Sequence, residues 1–82
     1  MIAPVITKEE AKRLISTNVD RLMHEQGIGQ RELSRLSGMD QPRISLLVKG
    51  KLLPNPADLA NVAEALGTTT DGLLPVGLSA SR

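Results

Sequence analysis

Apolar residues recur at steps of three and four along most of this chain, and each run is bracketed by residues that start or stop helices. Ala11, Leu14, Ile15, Val19, Leu22 and Met23 make one apolar face. Thr7 stands three residues before Glu10, the spacing of a capping box, and Gly27 suits a left-handed helix end, which predicts a helix over 8–26. A second, shorter helix is predicted over 30–37, with Leu33 and Leu36 inward and Gly38 as its stop. Met39 and Asp40 form a turn. Asp40 is placed to cap a third helix that begins at Gln41, and Pro42 falls in the first turn, where its missing N–H does no harm. Ile44, Leu47 and Val48 point inward on this helix, and Gly50 ends it. Asn55 caps a fourth helix with Pro56 at its first position, Leu59, Val62, Ala63 and Leu66 as its stripe and Gly67 as its end. A short fifth turn is expected from Asp71 to Leu74, weakened by Gly72 and stopped by Pro75. No strand-like alternation, repeat or low-complexity segment appears. The predicted fold class is all-α, a compact bundle of about five short helices, with the domain at 7–75 between an arm (1–6) and a tail (76–82).

Composition narrows the function classes. Eighty-two residues allow one domain and one modest core. The chain has no Phe, Trp or Tyr, so its core is aliphatic. It also lacks the aromatic platforms on which single strands and RNA bases stack. With no cysteine, disulfides and thiolate metal sites are excluded, and His24 is the only histidine, which leaves no metal site. No apolar run is long enough to span a membrane, and 1–6 does not read as a signal peptide, so the expected location is the cytoplasm. The net charge of +1 says little, but its distribution is uneven. Residues 31–51 carry Arg31, Arg35, Arg43, Lys49 and Lys51 against Glu32 and Asp40, whereas 52–81 carry only Asp58, Glu64 and Asp71. Either the surface charge is simply scattered, or a basic middle segment faces phosphate while the acidic end turns away.

Gln30 to Gly50 is the informative stretch. Two short amphipathic helices meet through Gly38, Ser34 is small where they must approach, and Leu33, Met39, Ile44 and Leu47 are apolar where they must face the core. These are the steric requirements of a helix-turn-helix. The run Gln30-Arg31-Glu32-Leu33-Ser34-Arg35-Leu36-Ser37-Gly38-Met39-Asp40-Gln41-Pro42-Arg43-Ile44-Ser45 resembles the helix-turn-helix of the Cro and phage-repressor (XRE-like) type. Lys49-Gly50-Lys51, Pro54, the run from Leu59 to Gly67 and Asp71-Gly72-Leu73-Leu74 extend the resemblance to roughly 10–75.

The resemblance implies a lambda-repressor-like bundle that binds double-stranded DNA as a homodimer on a two-fold operator, with the third helix in the major groove. It places Gln41, Pro42 and Leu46 at base edges, with Arg43 and Ser45 beside them on the exposed side. It gives Gln30, Lys49 and Lys51 to phosphates, with Arg31 in the same basic segment, and lets Asn55 present the N-terminus of the fourth helix to phosphate. Two positions depart from the family. Pro42 cannot donate to a base, and Leu46 is apolar: it suits a thymine methyl, a protein interface or packing on its own chain. Direct readout would then rest on Gln41, suited to adenine, and Arg43, suited to guanine. Leu73, Leu74, Val76 and Leu78 exceed what a short tail needs for its own core and are candidates for a dimer interface. The leading expectation is a phage- or prophage-type repressor. An antitoxin or restriction-modification controller of the same fold remains open, as does an adaptor that binds a protein partner and not DNA. No nucleophile–base pair, metal-ligand cluster or phosphate loop appears, so the chain is expected not to be an enzyme and to need no cofactor or small-molecule ligand.

Overall fold

Five helices follow one another in the computed structural model, which describes residues 6–75: α1 (Lys8–Gln26), α2 (Gln30–Ser37), α3 (Gln41–Val48), α4 (Pro56–Ala65) and α5 (Thr70–Leu73). Among the described residues there is no strand. The arm and tail expected at the two ends lie, but for Ile6, outside the described residues, as do Val76 and Leu78.

Most helix ends follow the local chemistry. The Thr7 hydroxyl accepts from the Glu10 N–H at 3.1 Å and the Glu10 carboxylate accepts from the Thr7 N–H at 3.0 Å, which completes the capping box of α1. Asn55 caps α4 by accepting from the Asp58 N–H at 2.7 Å. The start of α3 differs from expectation. Asp40 has the extended backbone of an N-cap, but its side chain makes no capping hydrogen bond. The fifth helix starts one residue earlier than the sequence predicts, because the Thr69 hydroxyl accepts from Gly72 N–H at 3.2 Å. Gly72 has a steric reason to be there: a Cβ at this position would clash with the Thr68 hydroxyl as it is placed.

The core is one aliphatic cluster. α2 packs on α3 and α4, α1 on α3 and α5, and α4 on α5. Ile15 and Val19 of α1, Leu33 of α2, Ile44 and Leu47 of α3 and Val62 of α4 are almost completely buried. Two expectations fail here. Leu36 does not turn inward but is 45% exposed. Leu33 and Ser37, one turn apart, take the buried row of α2, and Leu36 lies beside it. Leu73, a candidate for the dimer interface, is fully buried in this chain's own core, so it has no surface to offer a partner.

Helix α1 also closes the C-termini of three other helices. The Ser16 hydroxyl donates to Val48 C=O at 2.6 Å, the Asn18 amide to Leu73 C=O at 2.8 Å and the Gln26 amide to Leu66 C=O at 2.6 Å. Carbonyls at helix ends have no partner within the helix, so these three side chains supply the missing donors. Asn18→Ala leaves the part-buried Leu73 carbonyl without its donor and is expected to cost about 1–3 kcal/mol. Urea unfolding checks this: an unchanged midpoint means the bond contributes nothing.

Candidate nucleic-acid interface

Local hydrogen bonds hold the turn between α2 and α3 in one shape. Gly38 adopts φ +82°, a conformation that side chains resist. Met39 is buried at 4% exposure and anchors the turn in the core. Both of its backbone groups are satisfied by α2: its N–H donates to the Ser37 hydroxyl at 3.2 Å, and its C=O accepts from the Ser34 hydroxyl. Ser34 is therefore more than a small residue at a close approach.

That anchor sets the rotation of α3. Ile44 and Leu47 face the core at 0% exposure. At about 100° per residue, the opposite side of the helix carries Pro42 and Leu46. Both are exposed, as is Gln41 at the edge, while Ser45 is half-buried between them. Leu46 is 42% exposed and so is not turned into its own core. Arg43 lies on the flank toward α4, half-buried, and its Nη2 donates to an Asp58 carboxylate oxygen.

The C-terminus of α3 is equally well determined. The Lys51 N–H donates to Leu46 C=O at 2.9 Å and the Gly50 N–H to Leu47 C=O at 3.1 Å, the two bonds of a Schellman turn. Gly50 takes φ +76°, and a Cβ there would lie 3.6 Å from Ser16. The turn presents Lys49 and Lys51 as exposed cations on either side of Gly50. Neither they nor the exposed Arg31 is ion-paired among the described residues. Arg35, by contrast, is held by Glu32 through both Nε and Nη2. That hydrogen bond pulls the Glu32 carboxyl below its ordinary range and raises Arg35.

Gln30 is exposed at the first position of α2, whose cap, Gly29, contributes no side-chain hydrogen bond. The N-terminus of α4 is less open to phosphate than expected. Pro56 has no N–H, the Asp58 N–H is taken by Asn55, and the Asp58 carboxylate already sits at the positive end of the helix. Asp58 is the residue that sequence reasoning missed. Its partner lies fifteen positions away on another helix, and no local spacing signals the pair.

Away from α3, Ile6, Ala11, Leu53, Pro54, Leu59 and Leu74 line an open apolar cleft of about 390 Å³. Leu74, half-buried, is the one described member of the expected dimer surface that stays accessible. No helix among the described residues is long and apolar enough to cross a membrane.

The comparisons with known proteins agree with this geometry. A family model described as helix-turn-helix matches residues 20–73, which takes in α2, α3, α4 and α5. A curated protein of Sinorhizobium fredii, described as an uncharacterized HTH-type transcriptional regulator, is 33% identical over 60 residues, covering 73% of this chain and 78% of its own length. No solved structure matches at comparable significance. The turn anchored by Met39, the outward face of α3 and the family match all describe one unit: the chain belongs to the XRE-like helix-turn-helix family of DNA-binding proteins.

Proposed function

We propose that this protein is a sequence-specific regulator of transcription, of the phage-repressor type, that binds a palindromic duplex as a homodimer with α3 in the major groove. The observation that carries this reading is the division of α3: Ile44 and Leu47 are wholly in the core, while Gln41, Pro42 and Leu46 are exposed. A helix so anchored presents its outer face as a rigid surface, which fits the width of the major groove. Gln41 and Arg43 supply hydrogen bonds to bases. Leu46 and Pro42 supply apolar contact, which suits a thymine methyl. Ser45 lies between them. Gln30, Arg31, Lys49 and Lys51 bracket α3 and take phosphates, and Asn55 adds at most the open amides of the first turn of α4. Leu74 and the cleft beside it form the accessible part of the proposed dimer surface.

The test is selection of duplexes from a random pool by the purified protein. Enrichment of a two-fold symmetric sequence is expected. Arg43→Ala should weaken binding to the selected duplex about 5- to 150-fold, the worth of one good base contact. Absence of enrichment removes the DNA-reading assignment. Equal binding by wild type and Arg43→Ala removes Arg43 from the reading surface. An adaptor role is favoured instead if α3 holds a protein partner and no duplex is bound.

A further inference from the structure

We infer that Asp58 is a positioning residue for base reading: its carboxylate holds one corner of the Arg43 guanidinium against α4 and leaves the rest for a base edge. The inference rests on the reading of α3 as a major-groove helix, and it adds a residue from outside the helix-turn-helix to the specificity of that helix.

The geometry separates a brace from a lock. Arg43 is bound to Asp58 through Nη2 alone, and no other hydrogen bond of its guanidinium occurs among the described residues. Arg35, gripped by Glu32 through both Nε and Nη2, shows what a committed guanidinium looks like on the same molecule. A guanine edge needs two coplanar N–H donors, aimed at O6 and N7. The hold on Arg43 leaves Nε–H, both Nη1–H groups and the second Nη2–H for that purpose. The two partners also differ in burial. Asp58 is the more enclosed: its side chain is 16% exposed against 41% for Arg43, and its backbone N–H is capped by Asn55 at 2.7 Å. The N-terminal dipole of α4 favours its negative charge.

Two consequences follow for recognition. A long side chain loses rotamer freedom when it binds, and one already restrained loses less. A guanidinium beside a carboxylate also attracts phosphate less than a bare cation does, while its directional bonds to a base remain. Asp58 therefore shifts the contribution of Arg43 from general attraction to discrimination.

The experiment uses the full chain and the duplex it selects. The base pair read by Arg43 is the one whose substitution no longer matters in Arg43→Ala. Wild type, Asp58→Ala, Asp58→Glu and Arg43→Ala/Asp58→Ala are then titrated with the preferred duplex, with variants at that base pair and with an unrelated duplex. All titrations are run where every protein is shown to be folded by circular dichroism. Asp58→Ala removes both acceptor oxygens, whereas an amide would keep one for Nη2, and the cap from Asn55 uses only the backbone N–H, so the start of α4 keeps its cap. The expected result is a loss of discrimination at that base pair of about fivefold or more in Asp58→Ala. Binding to the unrelated duplex rises a few-fold, and Asp58→Glu retains discrimination. The double variant is no worse than Arg43→Ala alone, the sign that Asp58 acts through Arg43. Unchanged discrimination in Asp58→Ala overturns the inference and leaves the reading of α3 standing. A gain in discrimination also overturns it, since the carboxylate would then be holding Arg43 back. If wild type selects no duplex, the reading of α3 fails and the inference falls with it.

Discussion

Ile44→Ala is expected to cost about 2–5 kcal/mol and to lower the melting temperature by roughly 10–30 °C. The side chain is 0% exposed and sits where α3 meets the aliphatic core. Removing it deletes buried methyl and methylene groups and leaves a cavity in the core. A domain of this size is stable by only about 5–10 kcal/mol, so much of that margin would go. Leu46→Ala is the matched control: two residues along the same helix, 42% exposed, and expected to cost less than about 1 kcal/mol. Thermal melts followed by far-UV circular dichroism measure both, since the chain has no aromatic residue to report by fluorescence. If the two variants melt together, the two faces of α3 are assigned wrongly.

The second large effect is on binding. Raising salt from 50 to 200 mM is expected to weaken the protein–duplex complex by about 10³-fold or more, the loss typical of six or more phosphate contacts. Arg31, Lys49 and Lys51 are exposed and unpaired among the described residues, and the two protomers of the proposed dimer would bring six such cations. Lys49→Ala and Lys51→Ala should each flatten the plot of log affinity against log salt by about one unit per protomer, with base preference unchanged. The Schellman turn is why both lysines are expected to count. It fixes the backbone on both sides of Gly50, so neither cation has to be ordered from a loose loop. An equilibrium titration over that salt range that shows a flat response would remove the phosphate assignments.

In the proposed complex the two effects share a cause, because binding would depend on the same rotation of α3 that the core packing sets. Met39, Ile44 and Leu47 lock the rotation from inside, and Gln41, Pro42 and Leu46 are displayed by it. A specific contact made through this helix therefore inherits its precision from the core and from the two serines that hold the Met39 backbone.

Helix existence, order and most boundaries were legible along the chain. Thr7 with Glu10, Gly27, Gly38, Asn55 with Pro56 and Gly67 act within one helical turn of themselves, so their spacing carries the information. The rotation of α3 was legible for the same reason, Ile44 and Leu47 lying on one side at helical spacing. Contacts between helices were not. Leu36 and Leu33 are both leucines on a short helix, and only the positions of α3 and α4 decide that one is covered and the other is not. Leu73 and Leu74 are adjacent leucines, and the packing of α5 on α1 and α4 sends the first into the core and leaves the second at the cleft. Asp40 has the chemistry of a cap and the backbone of one, yet makes no capping bond. Ser16, Asn18 and Gln26 lie outside the apolar stripe of α1 and close helix ends 32 to 55 residues away. The pair between Arg43 and Asp58 belongs with these: a hydrogen bond between side chains on different helices depends on how the helices cross, and no local period encodes it.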